Sequence, residues 1–471
     1  MSAPATSEPA PKPGCGGPGK AAPYEGLPWP RRLWAMVTLM TGLTLAVLDA
    51  TIAHVALPTI ARDLNTTPAA AIWIANAYNL AVVTLLLPLS AVAERIGFRR
   101  MFTFGLTLFT VASLLCALST TLTELTAARV LQGIGAAAIT SLIGGFVRNI
   151  FPLSKLGMGM SVNATTVAIS AVIGPNIGSA ILSVSSWPWI FAVNVPIGIL
   201  ALIGVRHLPD VPRNNVRFDG LSAVLCMVAL GSFIIAVDFL GQSPARSLPL
   251  FVLAFLCAVF LIRRARNQTA PLVPVDLLRI PTIAFAACAS VCTFAAQMAS
   301  YVSLPFYFQG VMGRPYLEIG LLMGAWPFGT ALVATLAGRV SDKYSAAVLS
   351  GLGAATMVAG LVSLILLPHD VSNTWIMCAM FVSGVGFGFF QTPNNRAMLS
   401  SAPRSRSGAA GGMQATLRVF GQSFGTALVA IAFSLPVTYG PTLALIFATV
   451  CAVLAVAVNC VRFTSLRVPG S

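Results

Sequence analysis

The chain has 471 residues, of which 57% are hydrophobic and only 9% are charged. Soluble domains carry about 25% charged residues, so this composition, with a mean hydropathy of +0.86, excludes an ordinary soluble protein and indicates an integral membrane protein. The net charge of +15 does not indicate nucleic-acid binding, because the basic residues form short clusters between apolar runs instead of a stripe on a polar domain.

Residues 1–31 are rich in Pro, Gly, Ala and Ser and contain no apolar run, which predicts a disordered cytoplasmic tail. Beyond this tail, the sequence alternates between long apolar stretches and short polar clusters. Roughly 20 mostly apolar residues cross a bilayer as a helix, because unpaired backbone groups are too costly in lipid. The fourteen predicted spans are 33–54, 70–92, 101–120, 126–147, 157–183, 187–205, 219–240, 248–264, 282–309, 317–337, 346–367, 373–395, 408–435 and 440–461.

The basic residues predict the orientation of these spans. Of the 28 Lys and Arg, 23 fall on the side of the two termini and three on the other side, while Arg129 and Arg418 fall inside spans. Lys and Arg accumulate on the cytoplasmic side of membrane proteins. We therefore expect a multi-pass protein of the inner (cytoplasmic) membrane with both termini in the cytoplasm and a second short tail at 463–471.

Two pairs of stretches repeat with an offset of eight spans. GPNIGSAI (174–181) resembles GQSFGTAL (421–428), and SAVAERIG (90–97) resembles GRVSDKYS (338–345). Duplicated halves place a substrate site between them. The sequence thus predicts an all-α integral membrane protein of fourteen transmembrane helices: two pseudo-symmetric six-helix bundles, at 32–206 and 280–462, plus two inserted helices at 219–265.

Few ionisable residues lie inside the spans, and each is a candidate functional residue because charge in a membrane is costly. Asp49 is about five residues from the predicted outer end of the first span, and Arg129 lies near the outer end of the fourth. Their shared depth predicts an ion pair that offsets part of the cost of burial. We expect Asp49 to bind the proton or cation with Arg129 as its partner; the alternative is a purely structural brace.

Three further ionisable residues are secondary candidates. His54 could admit protons, because imidazole titrates near neutral pH, but we favour an interfacial residue that caps the helix end. Asp238 lies in the inserted pair, where we favour an interfacial acid over one that attracts cations. Arg418 either faces the cavity or braces a gate, with packing between helices as the equally favoured alternative.

Several stretches resemble motifs of the major facilitator superfamily, in its fourteen-span drug:proton antiporter branch of the QacA/EmrB type. They are DATI (49–52) with ALP (56–58), RVLQGIGA (129–136), GPNIG (174–178) and WPWIF (187–191) with NVPIG (194–198). The resemblance implies that Gly174, Pro175 and Gly178 form the antiporter motif, where a proline kink and close packing hinge the bundle. His54 stands where this branch usually has Asn, and Ser179 where it usually has Gly.

The second repeated pair predicts a cytoplasmic gate. Glu94–Arg95 and Asp342–Lys343 each follow a span, and a carboxylate there can meet the N-terminus of a neighbouring helix, which favours anions. The alternative is solvated loop charge. Ser90, Glu94 and Phe98 depart from the usual residues of this loop.

Polar and aromatic side chains within the spans form a pool of candidate substrate contacts, since aromatic faces attract organic cations without buried charge. Ordinary packing or interfacial anchoring is the alternative for each of them. The pool is Trp73, Asn76, Tyr78, Gln297, Tyr301, Trp326, Phe328, Gln391 and Asn394.

The resemblance implies a secondary transporter that exports hydrophobic, chiefly cationic drugs or biocides in exchange for protons by alternating access. Export of an endogenous metabolite is the alternative, with uptake by symport or a non-transporting receptor less favoured. No nucleophile–base arrangement, metal-ligand spacing or phosphate loop occurs, so we expect no enzyme, no metal site and no cofactor, with a proton gradient as the energy source. Expected partners are a lipophilic cation, protons and membrane lipid, and no nucleic acid.

Overall fold

The computed structural model describes residues 26–152, 156–211, 219–240, 243–266, 268, 273–341, 344–368, 371–403, 407–434 and 440–466. Within these ranges the chain is helical and contains no β-strand. The α-helices are α1 (Arg31–Asp63), α2 (Pro68–Ile96), α3 (Phe98–Leu118), α4 (Leu122–Thr140), α5 (Ile143–Ile150), α6 (Leu156–Val184), α7 (Pro188–Ala192), α8 (Asn194–Gly204), α9 (Gly220–Leu240), α10 (Pro244–Ala265), α11 (Pro281–Phe306), α12 (Tyr316–Val340), α13 (Ala346–Leu366), α14 (Asn373–Ser401), α15 (Ser407–Phe433) and α16 (Gly440–Leu466).

Fourteen helical segments of the described chain are long and apolar enough to cross a membrane, which confirms the predicted count. One crossing combines α4 with α5, and another combines α7 with α8. The even number places the start of α1 and the end of α16 on one side. We call this side the terminal face and the other the distal face.

The first helix extends further than predicted. The apolar run suggested an end near residue 54, but α1 continues through Pro58 to Asp63. Hydropathy marks the length of an apolar stretch, whereas a helix continues as long as its backbone is paired. Asp49 therefore lies about 20 Å before the end of α1, at 1.5 Å per residue, in the middle of the helix and not near its outer end.

The last residues of the predicted tail are ordered, which corrects that part of the expectation. The Leu27 amide donates to the carbonyl of Ile150 at 3.0 Å. Arg32 in turn donates its Nε to the Leu27 carbonyl at 2.8 Å. This short segment packs beneath α5, while residues 1–25 of the predicted tail lie outside the described residues.

The two bundles repeat the same helix contacts. In the N-terminal bundle α3 packs on α4, α2 on α4, α1 on α6, and α8 on α1 and α3. In the C-terminal bundle α13 packs on α14, α12 on α14, α11 on α15, and α16 on α11 and α13. Each contact has a counterpart eight spans later, so the repeated sequences correspond to repeated structure.

The bundles meet through two symmetric helix pairs, α6 with α12 and α2 with α15. The α6–α12 contact is close because α12 carries two glycines four residues apart. A methyl group at Gly320 would come within 2.6 Å of Ser179 Oγ, and one at Gly324 within 2.8 Å of Asn176 Nδ2. The inserted pair α9–α10 lies outside the bundles, and α9 packs on both α2 and α15.

A large hydrophobic core spans both bundles toward the distal face. The distal halves of both bundles share one core, which joins Ile52 and Ile74 to Val302, Met323 and Val429. Near the terminal face, the N-terminal bundle has its own core with α9 and part of α15, and the C-terminal bundle has two smaller ones. The described state is therefore closed toward the distal face.

Candidate functional site

A buried charge network lies in the middle of the N-terminal bundle. Arg129 Nη1 of α4 is 2.5 Å from Asp49 Oδ2 of α1. The other carboxylate oxygen, Oδ1, accepts bonds from Gln132 Nε2 and Asn194 Nδ2, both at 2.8 Å. Asp49 is 0% exposed and Arg129 is 1% exposed. The predicted contact is present, and both oxygens of the carboxylate are held.

Arg129 is positioned by several further contacts. Its Nε donates to the carbonyl of Ile74 at 3.1 Å, and its Nη1 also donates to Gln132 Oε1 at 2.6 Å. The guanidinium lies 4.3 Å from the ring centroid of Tyr78 and 5.6 Å from that of Phe191. Cation–π contacts strengthen when they are desolvated, so these rings offset part of the cost of burying the charge. Tyr78 belongs to this network.

The network contains residues that the sequence motifs included but that we did not predict as site residues. Gln132 follows Arg129 by three residues, which puts both side chains on one face of α4. Its Nε2 also donates to Ser113 Oγ of α3 at 2.8 Å. Asn194 enters from the first turn of α8. The signal that could have found them is an amide in an apolar span, since buried polar groups need partners.

The network does not line the space between the two bundles. The carboxylate and the guanidinium are enclosed within the N-terminal bundle. Among the described residues, the hydrogen-bond partners of the pair come from α1, α2, α4 and α8. Any access to Asp49 therefore requires these helices to move.

His54 is not the interfacial residue that we favoured. It is 3% exposed, and its Nδ1 has no hydrogen-bond partner among the described residues. The reason is the length of α1, which continues for more than two turns beyond His54 and keeps this position inside the distal core. A cap at the helix end is therefore excluded.

Asp238 and Arg418, the other two secondary candidates, differ from Asp49 and Arg129 in having no ion-pair partner among the described residues. Asp238 is 1% exposed, so it is not interfacial either. Arg418 lies within α15, and its Nε has no hydrogen-bond partner among the described residues. Neither residue forms an ion pair within the part of the chain that the structure describes.

The glycines of the predicted antiporter motif make close helix contacts. A methyl group at Gly174 would clash with Thr51 Oγ1 of α1, and one at Gly178 would come within 3.1 Å of the Ile52 side chain. In the second bundle, Gly421 and Gly425 face the backbone of α11 at Val291 and Ala295. Pro175 lies inside the continuous helix α6, next to the contact with Gly320 of α12.

Gly425→Ala is expected to destabilise the protein by about 1–3 kcal/mol, because the added methyl group would overlap the Ala295 backbone, which cannot rotate away. Gly411→Ala on the same helix is the matched control, since nothing lies within 4 Å of its added carbon. Thermal unfolding of the purified protein in detergent measures both. Equal stability of the two variants would contradict the close contact.

The predicted cytoplasmic gate is only partly described. Glu94 and Arg95 are exposed at the end of α2, and neither forms an ion pair with a described residue. Asp342 and Lys343 lie outside the described residues. Both charge pairs therefore stay predictions.

A polar contact between the bundles is present at the distal face instead. Arg62 Nη2 at the end of α1 donates to the hydroxyl of Tyr316 at the start of α12, at 2.9 Å. Thr59 Oγ1 lies 3.0 Å from the same hydroxyl. The tyrosine thus joins the two bundles where the shared core ends.

Tyr316→Phe is expected to favour opening of the distal face, because the hydroxyl that links the bundles is removed and the ring is kept. A hydrogen bond contributes about 1 kcal/mol, which corresponds to a roughly fivefold change in the population of the closed state. Hydrogen exchange of the amides around Thr59 and Tyr316 measures this change. Tyr344→Phe, at an exposed tyrosine of the terminal face, is the control, and equal protection in both variants would exclude a gating contact.

The substrate pool separates into groups in the structure. Tyr301 and Trp326 are buried and pack edge to face at 5.6 Å, and Trp326 Nε1 has no hydrogen-bond partner in the described part of the chain. Asn76 is buried, and neither end of its amide has a partner among the described residues. Gln297, Gln391 and Trp73 are half-buried.

Two members of the pool are corrected by their surroundings. Phe328 is 55% exposed and packs on Phe381 at the outside of the bundle, because it follows the buried Trp326 by about half a helical turn. Asn394 has its amide occupied: its Nδ2 donates to Ser290 Oγ at 2.8 Å, and its Oδ1 accepts from Arg462 Nη1 at 3.0 Å. Asn394 and the buried Arg462 form a packing network within the C-terminal bundle.

Two symmetric six-helix bundles around a central seam, with a charge network inside one of them, define a membrane transporter of the two-bundle type. The family model of the Major Facilitator Superfamily matches residues 39–426 of this chain. The chain belongs to that family, whose members are multi-pass membrane transporters of small molecules.

Curated relatives align over most of the chain. The chain is 45% identical over 450 residues to the uncharacterized transporter YebQ of Escherichia coli (strain K12), covering 94% of this chain and 98% of the relative. It is 28% identical to the riboflavin transporter RibZ of Clostridioides difficile (strain 630), with 86% and 89% covered. It is also 28% identical to the multidrug resistance protein Stp of Mycobacterium tuberculosis (strain ATCC 25618 / H37Rv), with 84% and 75% covered.

Solved structures agree with the fold. A POT family transporter in complex with a thioalcohol-conjugated peptide superposes with a TM-score of 0.69 at 16% identity, covering 95% of this chain and 99% of that one. A bacterial homolog of the human lysosomal transporter Spinster, in an inward-facing conformation, gives 0.66 at 14% identity, covering 92% and 97%. At these identities the likeness concerns the fold alone.

Proposed function

We propose that this protein is a proton-coupled antiporter that exports small hydrophobic compounds across a bacterial inner membrane by alternating access. The terminal face would be cytoplasmic, as the concentration of Lys and Arg on that side favours. The energy source would be the proton gradient, with no cofactor. In this orientation the described state, closed at its distal face, is the one that would load substrate from the cytoplasm.

The observation that carries the proposal is the enclosed Asp49–Arg129 pair. While Asp49 is ionised, the pair is neutral overall. A proton on Asp49 leaves the charge of Arg129 uncompensated inside the N-terminal bundle, and a charge in low dielectric acts strongly on a nearby cation. A proton and a cationic substrate would therefore exclude each other, which is the requirement for antiport.

The relatives support two substrate classes. Relatives named multidrug resistance proteins and drug efflux pumps favour hydrophobic, chiefly cationic drugs or biocides. The relative named a riboflavin transporter favours a neutral aromatic metabolite, the second candidate. Both oxygens of Asp49 already have protein partners, so a cationic substrate would respond to the net charge of the pair without contacting the carboxylate.

Substrate contacts would come from unpartnered polar groups and aromatic rings near the seam. Asn76 of the N-terminal bundle and Trp326 and Ser423 of the C-terminal bundle carry buried polar atoms without a partner among the described residues. An unmet buried donor or acceptor costs about 1–3 kcal/mol, which a bound polar substrate would recover. Tyr301, Gln297 and Gln391 remain in the proposed pool.

The test uses inside-out membrane vesicles that contain the protein, an imposed pH gradient and a pH-sensitive dye. Addition of ethidium, a lipophilic cation, is expected to dissipate the gradient, whereas vesicles without the protein keep it. Dissipation by riboflavin alone would favour the second candidate. If neither probe changes the gradient while the purified protein binds either of them, proton-coupled export is excluded.

A further inference from the structure

Asp238 is a second buried acid whose surroundings differ from those of Asp49. It lies in the last turn of α9, is 1% exposed, and neither oxygen of its carboxyl group has a hydrogen-bond partner among the described residues. The side chain of Trp73 on α2 lies close enough to interact with it. Asp49, by contrast, has three polar side chains on its two oxygens.

The position of Asp238 connects it to the seam between the bundles. Helix α9 packs on α2 of the N-terminal bundle and on α15 of the C-terminal bundle, and these two form one of the cross-bundle pairs. Phe233 of α9 packs on Phe420 and Phe424 of α15, at 5.7 and 6.1 Å between ring centroids. A methyl group added at Gly231 would lie 3.6 Å from the side chain of Thr84 of α2. Separation of α2 from α15 would therefore change the surroundings of α9.

No described charged group on the helices that pack against α9 forms an ion pair with Asp238. The charged residues of α2, Glu94 and Arg95, lie in its last turn, at the end of the helix away from Trp73. The charged residue of α15 is Arg418, which precedes Phe420 and Phe424 in the chain. On α10, Arg246 and Arg263 are exposed, and Arg264 is paired with Asp219 at the opposite end of α9. A buried carboxylate without an ion-pair partner is so costly that the group neutralises instead.

We propose that Asp238 is a second proton-binding site, which carries a proton while the distal face is closed and releases it when α2 and α15 separate there. In the closed state the group is a carboxylic acid beside Trp73. When the seam opens, water reaches the group, the O–H bond breaks, and the proton passes to water on the distal side. Rebinding of a proton would then favour closure, which couples distal acidity to the return of the transporter. This inference rests on the alternating access of the proposed function.

Infrared difference spectroscopy of the purified full chain tests the protonation state. Subtracting the spectrum of Asp238→Asn from that of the unsubstituted protein at neutral pH is expected to isolate the carbonyl stretch of a protonated carboxylic acid. Asp219→Asn is the matched control just before the same helix: the Arg264 guanidinium, with help from Ser222 and Gln268, holds the pKa of the Asp219 carboxyl below its usual range, so no acid band is expected there. Loss of a carboxylate band in Asp238→Asn would overturn the proposal.

Asp238→Glu controls for a folding defect in Asp238→Asn. It keeps a carboxylic acid at this position, so the carbonyl stretch is expected to shift instead of disappearing. Hydrogen exchange then tests the link to the seam, by comparing Asp238→Asn with the unsubstituted protein at the same pH. At mildly alkaline pH the distal ends of α2 and α15 are expected to exchange severalfold faster in the unsubstituted protein, and at acidic pH equally. If the ratio of the exchange rates of the two proteins did not change with pH, protonation of Asp238 would not be linked to opening of the seam.

Neither measurement requires transport. If the unsubstituted protein exchanged protons for no probe, the proposed function would fail while the acid band and the pH-dependent exchange could still be observed. If transport is proton-coupled but the acid band is missing, the second proton site fails alone.

Discussion

Asp49→Asn is expected to uncouple transport from the proton gradient, so that proton-driven accumulation of a transported probe falls strongly while exchange of the probe down its own gradient continues. The amide oxygen of the variant can still accept the hydrogen bonds that Gln132 and Asn194 donate, but the amide cannot gain or lose a proton in the enclosed site. Loss of coupling should lower proton-driven accumulation by about 5–150-fold, the usual range of a coupling free energy. Proteoliposomes loaded with ethidium or riboflavin, with and without a pH gradient, provide the measurement.

Two controls accompany this variant. Asp49→Glu keeps an acid and is expected to retain part of the coupling. Asp219→Asn removes a carboxylate that also pairs with an arginine, Arg264, but at the edge of the inserted helices, and is expected to leave coupling unchanged. Full proton-driven accumulation in Asp49→Asn would mean that the pair with Arg129 only braces two helices.

Arg129→Met is expected to lower the free energy of unfolding by about 3–5 kcal/mol, because it leaves a buried carboxylate without its cation. The same change removes the contacts of the guanidinium with the Ile74 carbonyl and the Tyr78 ring. Thermal unfolding in detergent measures the loss. Little or no loss would mean that Gln132 and Asn194 alone stabilise the charge of Asp49.

The double variant Asp49→Leu with Arg129→Met separates stability from function. Apolar residues that replace a whole buried pair are often neutral or stabilising, so the double variant is expected to regain most of the stability that the single variant loses. It should nevertheless remain uncoupled in the vesicle assay, because it has no group at this site that binds a proton. Stability losses that simply add would contradict a direct interaction between the two residues.

The sequence by itself determined the class of protein and its plan. A charged fraction of 9% and fourteen apolar runs leave few alternatives to a helical membrane protein, because lipid offers no partner for an exposed backbone. The eight-span offset between Gly174 and Gly421 predicted duplicated halves, and both glycines indeed sit where two helices approach closely. The contact of Asp49 with Arg129 was also predictable, since each is a rare charge at a common depth.

Only the tertiary structure decided what surrounds each of these residues. A helix that is apolar all round gives no sign of which face meets which neighbour, so the sequence did not reveal that Gln132 and Asn194 reach Asp49 or that Arg462 occupies Asn394. Hydropathy also left the ends of helices uncertain, which misplaced His54 at the interface and hid its burial along α1. Asp238 was misplaced for a related reason: its helix packs against helices of two different bundles, and packing between segments far apart in the chain leaves no local signal.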